Sequence, residues 1–225
     1  MKIHVTKDHP NHGRVGGLKA DASVYTTKGA EYAKALTDAD AAEGKKRFNP
    51  SVCELPVECK PMKHEPFTRG REEERSTLDR RRALGQVILY AAEILACQHR
   101  THLFTVLAVD QSHFRLFRWD AAGVIATTLE KDLTLLHKFF RRFDRSSPAQ
   151  RGLDSTVRRA TKPEEAIFKA ELDTFAREEM RLVGDALTEF VGRQYQEECV
   201  AVVQVGQTSV RCPYVGALHP RLKHP

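Results

Sequence analysis

The sequence predicts an α/β fold, with a mixed central sheet flanked by helices and a C-terminal helix and hairpin. Three observations carry this reading. Residues 52–60, Val52-Cys53-Glu54-Leu55-Pro56-Val57-Glu58-Cys59-Lys60, alternate apolar and polar side chains, the period of a half-buried strand. Within 71–100, Leu84, Val87, Ile88, Ala91, Ala92, Leu95 and Ala96 recur at spacings of three and four, which predicts an amphipathic helix. Residues 103–109 and 114–119 are apolar or alternating and are separated by Asp110-Gln111-Ser112-His113, which predicts a hairpin.

The remaining elements follow in order. Residues 1–17 are polar, with His4, His9, His12 and Gly16-Gly17, and are expected to form a terminal segment. Residues 25–49 show no strand pattern, and the Ala-rich stretch 30–42 suits a short surface helix. The helix 71–100 is expected to pack on the sheet through Leu84, Ile88, Ala91 and Leu95. Asp120-Ala121-Ala122-Gly123 makes a turn into a third strand at 124–129. A helix over 132–143 carries the stripe Leu133, Leu136, Phe139, Phe140 and Phe143. Residues 146–152 form a loop. Pro163-Glu164-Glu165 opens a further helix, with proline and acids in the first turn, expected to run to about Tyr195. Strands at 200–205 and 209–215 are expected to make a hairpin around Gly206-Gln207. The chain thus divides into an α/β module, 1–160, and a helix plus hairpin, 161–225.

Composition sets outer limits. The 225 residues suffice for one sizeable core or a core with an appendage, and 41% hydrophobic with 29% charged residues fits an ordinary globular chain. No apolar run approaches a membrane span. Met1-Lys2-Ile3-His4-Val5 leads into no apolar stretch, so an intracellular chain, cytoplasmic or nuclear and not secreted, is expected. Cys53, Cys59, Cys97, Cys199 and Cys212 are scattered and odd in number, and read as reduced thiols rather than a disulfide framework or zinc site. A net charge of +6 favours a polyanionic partner such as nucleic acid, and Arg80-Arg81-Arg82 could meet a phosphate backbone or form a solvated helix face.

The chemistry centres on Glu58 and Lys60. Two residues apart on a strand, they share a face, while Leu55, Val57 and Cys59 point to the other. A carboxylate can hold a divalent cation and an adjacent ammonium can stabilise developing negative charge, the pairing that suits phosphodiester hydrolysis. Asp21 can supply a second carboxylate. Gln86 and Tyr90 lie one turn apart on the following helix and share a face. A second acidic-x-Lys triplet, Glu43-Gly44-Lys45, sits in a polar stretch with no strand pattern.

The order Asp21, then Glu58-x-Lys60 on a strand, then Gln86-x-x-x-Tyr90 on the next helix resembles the PD-(D/E)xK nuclease superfamily, its last element resembling the RecB-like branch. The resemblance implies a restriction-endonuclease-like fold. It also implies a site of Asp21, Glu58, Lys60, Gln86 and Tyr90, with Asp21 and Glu58 holding Mg²⁺ or Mn²⁺. Lys60 would then stand free of a competing salt bridge, and Gln86 would orient it or the nucleic-acid backbone. Ala20 stands where the superfamily usually has proline, and the gap from Asp21 to Glu58 is long.

Over roughly residues 21–152 the succession Gly85-Gln86-Val87-Ile88-Leu89-Tyr90-Ala91-Ala92-Glu93, Gln98-His99-Arg100-Thr101-His102-Leu103-Phe104, Arg115-Leu116-Phe117-Arg118-Trp119-Asp120 and Gln150-Arg151-Gly152 resembles the N-terminal portion of the fungal-type protein kinase family. The resemblance implies a kinase domain in longer relatives. This chain carries no Gly-rich phosphate loop, no Val-Ala-Ile-Lys strand, no His-Arg-Asp loop and no Asp-Phe-Gly, so it is not expected to transfer phosphate. Two expectations remain: an accessory module used for binding or regulation, or a divalent-metal-dependent nuclease.

Overall fold

The computed structural model describes residues 1–5, 20–31, 33, 48–67, 78–195 and 200–213. His9, His12, Glu43-Gly44-Lys45, Cys199, most of the stretch 30–42, the start of the segment 71–100 and the end of the last strand lie outside these residues. The chain divides into two compact units, Met1–Leu153 and Asp154–Pro225.

The first unit is a mixed α/β structure. Its strands are β1 (Lys2–Val5), β2 (Ala22–Tyr25), β3 (Cys53–Lys60), β4 (His102–Val109), β5 (His113–Asp120) and β6 (Gly123–Ala126), with helices α1 (Leu78–Cys97) and α2 (Leu133–Arg145). The six strands lie side by side in chain order. Every pairing is antiparallel except β3 with β4. Parallel neighbours cannot be joined by a tight turn, and α1 is the crossover between them. Residues 2–5, expected to belong to a terminal segment, instead pair with β2.

Period-two alternation sorts the core onto two faces. Val24, Leu55 and Val106 point to one, where Phe143 of α2 covers them and Phe104, Leu116, Phe139 and Phe140 complete the packing. Phe104 meets Phe139 and Phe143 edge-on, at centroid distances of 5.8 and 6.3 Å. Tyr25, Leu103, Leu107, Val109 and Phe117 point to the other face, where they meet Val87, Tyr90, Ala91 and Ile94 of α1. The buried stripe of α1 is Ala83, Val87, Tyr90, Ala91, Ile94 and Cys97. Of the four packing residues expected, Ala91 lies in it, Leu84 is half-buried outside it, Leu95 is partly buried beside it, and Ile88 is 45% exposed. The apolar residues of α1 run too far round the helix to set its phase. Small Ala83 and Ala91, with Tyr90 turned to a polar group on β3, decide it.

The third strand of the meander stops at Ala126, short of the expected 129. Thr127 leaves the ladder: its hydroxyl accepts the Leu116 N–H at 3.1 Å, and its carbonyl accepts Arg115 Nη1 at 2.6 Å. The chain rejoins β5 at the Phe114–Glu130 bridge. Helix α2 begins where expected, with the Asp132 side chain accepting the Thr134 N–H at 2.8 Å.

In the second unit β7 (Val157–Arg159), β8 (Val200–Val205) and β9 (Thr208–Pro213) form a three-stranded antiparallel sheet, accompanied by α3 (Lys162–Glu178) and α4 (Gly184–Gln194). The unit starts before residue 161 because β7, too short to leave a periodic signal, pairs with β8. A capping box of Thr161 and Glu164, with proline in the first turn, starts α3. The single helix expected to reach Tyr195 is two. Arg181 takes a left-handed φ of 57° and the Leu182 N–H turns back to the Ala176 carbonyl at 3.0 Å. The C-terminal hairpin turns at Gly206-Gln207, where Gly206 has φ 59°, as a type II′ turn requires of its first central residue.

Candidate functional site

The sheet register brings the two carboxylates together. Ala22 pairs with Val57, so the next step outward sets Asp21, just before β2, opposite Glu58. Side chains opposite one another in an antiparallel pair share a face. Asp21 Oδ2 accepts the Cys59 N–H at 2.7 Å, which anchors Asp21 against β3 at the point where β2 begins.

Glu58 lies on the α1 face and is 2% exposed. Lys60 Nζ donates to its Oε1. Lys60 is therefore paired, not free of a competing salt bridge as expected. Two residues apart on one strand face, it is the nearest counter-charge for a carboxylate that is costly to bury alone. Tyr90 extends from α1 to the same carboxylate, its ring 5.5 Å from that of Phe48. Burial raises the pKa of Glu58. The Lys60 bond opposes the rise, the charge of Asp21 adds to it, and a hydrogen bond with Tyr90 opposes it. Burial, then the charge of Glu58, pushes the Tyr90 phenol above its ordinary range. Glu58 Oε2 is buried and has no hydrogen-bond partner among the described residues.

The structure thus brings Asp21, Glu58, Lys60 and Tyr90 together. Gln86, one turn before Tyr90, is exposed and makes no hydrogen bond to Lys60 or Glu58 among the described residues, because the buried stripe of α1 passes through Val87 and Tyr90 and leaves Gln86 on its outer flank. No cluster of three or more His, Cys, Asp or Glu residues suited to a metal occurs among the described residues. A hard divalent cation that keeps several waters needs only one or two carboxylates. Two carboxylates on one face, one with an unsatisfied oxygen, fit Mg²⁺ or Mn²⁺.

A second polar cluster escaped the sequence reading. Glu54, two pleats before Glu58 on the same face, is buried. Its Oε2 accepts Arg100 Nη2 at 3.0 Å and Arg151 Nε at 3.3 Å. Arg100 also donates to Gln98 Oε1 at 2.7 Å and to the Arg151 carbonyl at 2.7 Å. Gln98 Nε2 holds the Pro50 and Cys53 carbonyls at 2.6 and 2.8 Å. Likewise Arg115 bonds Glu65 at 2.8 Å in the core and lies over the Phe67 ring. The signal was strand alternation, which places Glu54 on the Glu58 face. A buried strand carboxylate demands arginines from elsewhere in the chain.

No family model matches the chain, and no curated protein or solved structure does either. Among the described residues no helix is long and apolar enough to cross a membrane.

The raised pKa of Glu58 has a measurable consequence. The folded state holds this proton to higher pH than the unfolded chain. As pH rises from the ordinary glutamate range through the raised folded value, Glu58 therefore costs the folded state stability. The melting temperature of Glu58→Gln minus that of the unsubstituted chain should grow as pH is raised from acid to neutral, read by Trp119 fluorescence. A difference that stays constant or shrinks would contradict the buried, charge-strained carboxylate.

Proposed function

We propose that residues 1–153 form a PD-(D/E)xK-type module, restriction-endonuclease-like in fold, serving as the accessory portion of a fungal-type protein kinase-related protein. The module engages a nucleic-acid phosphodiester through a hard divalent cation, Mg²⁺ or Mn²⁺, held by Asp21 and Glu58. One observation carries this reading: Asp21 and Glu58 oppose each other across β2 and β3, and one Glu58 oxygen is buried without a partner. The order of parts supports it as well. Three antiparallel strands, a crossover helix and a strand parallel to the third carry the acid before β2, the Glu-x-Lys on β3 and the tyrosine on the helix.

A bound cation would act there as a Lewis acid toward a phosphoryl oxygen. The chain's own groups do the rest. Asp21 is fixed by the Cys59 N–H. Lys60 balances the Glu58 charge and lies where it can meet a phosphate oxygen. Tyr90 closes the site against α1. A second reading, hydrolysis of the phosphodiester, requires Lys60 to exchange its Glu58 partner for a phosphate oxygen.

Mn²⁺ titration of the full chain, followed calorimetrically, tests the first reading. Saturable binding is expected, weakened by roughly tenfold or more in Asp21→Asn and in Glu58→Gln, comparable to the loss when a metal site is disturbed. Identical isotherms for the unsubstituted chain and both variants would sink it. Incubation of labelled DNA and RNA with Mn²⁺ and the chain, with Lys60→Ala as control, tests hydrolysis. Cleavage that survives Lys60→Ala would exclude this site as its source.

A further inference from the structure

We infer that the second unit carries a site for a guanine nucleotide at the start of α3, independent of the Asp21–Glu58 reading. A cavity of about 580 Å³ opens there, within the roughly 300–1,000 Å³ of small-molecule sites. Lys162, Glu165 and Lys169 share one flank of α3. They line the cavity together with Arg159, the last residue of β7, and Tyr195, the residue that ends α4. Burial sorts these residues into floor and rim. Glu165 is 8% exposed, whereas Arg159, Lys162 and Lys169 are exposed. The Glu165 side chain makes no hydrogen bond or ion pair among the described residues, and it lines the cavity. The dipole of α3 favours an acid in this first turn but gives its oxygens no donor. A carboxylate only accepts, and one so buried requires donors. The occupant therefore brings N–H groups to the floor, and three cations at the rim require its outer part to be anionic.

Tyr195 adds an aromatic wall. Lys169 Nζ lies 5.2 Å from the centroid of its ring, an exposed contact worth little. Lys169 exchanges it for a phosphate and uncovers the ring for a base. A free amino acid matches the charges but neither fills the cavity nor uses the ring; a nucleotide does both. Glu165 then selects the base. Guanine offers two neighbouring donors, N1–H and N2–H, to the two carboxylate oxygens. Adenine and cytosine set a ring-nitrogen acceptor beside their amino group, and uracil flanks its one N–H with carbonyls. Each would turn a lone pair toward Glu165, and a site built on buried polar groups rejects a ligand that leaves them unpaired. Guanine stacks on Tyr195, while its phosphates meet Lys162, Lys169 and Arg159.

The test is calorimetric titration of the full chain with guanosine, adenosine and cytidine diphosphates and with inorganic pyrophosphate, in EDTA so that no cation contributes. Saturable binding of guanosine diphosphate is expected, about tenfold or more tighter than that of the other two nucleotides. Glu165→Gln puts an amide donor where an acceptor stood. It should weaken guanosine diphosphate about tenfold and erase its advantage over adenosine diphosphate. Lys162→Ala, at an exposed position, should weaken both nucleotides alike, by about fivefold, and keep the ratio between them. Circular dichroism checks that each variant keeps its helices. Should Glu165→Gln lose them, the nucleotide series on the unsubstituted chain and on Lys162→Ala decides alone. Absence of guanosine diphosphate binding overturns the site. Equal affinity for guanosine and adenosine diphosphates overturns the role of Glu165 and with it the guanine assignment. Pyrophosphate binding as tightly as guanosine diphosphate overturns it too, by showing an anion patch without a base pocket.

Discussion

Replacing Glu54 with alanine is expected to lower the melting temperature of the first unit by about 10 °C. The carboxylate is the shared acceptor of Arg100 and Arg151, and the Arg100 side chain is fully buried. Removing it leaves two guanidiniums in the protein interior facing each other without a counter-charge. Breaking a buried ion pair from one side costs roughly 3–5 kcal/mol, and for a unit of this size each kcal/mol is worth about 2–4 °C. Trp119 is the only tryptophan in the chain. It packs, partly buried, against the core of this unit with its Nε1–H donating to Thr105 Oγ1 at 2.9 Å, so its fluorescence reports this unit by itself. Glu54→Gln, which keeps an acceptor and loses the charge, should fall between the two. The triple change Glu54→Leu, Arg100→Met, Arg151→Met should melt above Glu54→Ala, because it removes the stranded charges together. It should not recover fully, since Gln98 and the Arg151 carbonyl lose their donor. A Glu54→Ala chain melting within about 2 °C of the parent would show that the two arginines are held by their backbone partners and not by Glu54.

This cluster explains why some motifs were visible in the sequence without their purpose being visible. Gln98-His99-Arg100-Thr101 and Gln150-Arg151-Gly152 lie some fifty residues apart, yet they meet: Arg100 bonds the Arg151 carbonyl, and Thr101 N bonds the Gly152 carbonyl at 2.8 Å. Their positions are explained by packing alone. Strand alternation made the Glu58–Lys60 face legible, since a period of two needs only local order. The pairing of Asp21 with Glu58 was not legible in that way. Asp21 could be offered as a second carboxylate, but its place opposite Glu58 depends on the register of β2 against β3, set by the whole sheet. The same limit hid the phase of α1, where apolar residues on several sides satisfy the helical period equally. It also hid the break between α3 and α4, made by an arginine in a left-handed conformation that nothing local announces. The polar partner of Lys60 followed from spacing, but its burial, which turns the pair into a salt bridge, did not.

The second large effect is expected at Gly152, where alanine should cost the first unit roughly 3 kcal/mol or more, combining two penalties. Gly152 has φ 97°, a region where a side chain costs about 1–3 kcal/mol. A Cβ there would also lie 1.9 Å from the His102 carbonyl oxygen and 2.7 Å from its carbon. That carbonyl is backbone at the first residue of β4, paired in register with Asp120 on β5, so it cannot swing aside as a long side chain could. Relief must come from the loop instead. Moving the loop stretches Thr101 N to the Gly152 carbonyl and Arg100 Nη1 to the Arg151 carbonyl, and so pulls Arg151 from Glu54. The effects of Gly152→Ala and Glu54→Ala are therefore expected to be less than additive, because both open the same cluster. Gly123 supplies the comparison. Its φ is 138°, but nothing lies within 4 Å of the position a Cβ would take, so Gly123→Ala carries the conformational cost without the collision. Trp119-detected urea unfolding of the two variants should show Gly152→Ala the less stable by about 1–3 kcal/mol, the scale of overpacking a closed site. Equal losses would mean that the close approach of residue 152 to β4 contributes nothing, and that backbone conformation alone requires the glycine.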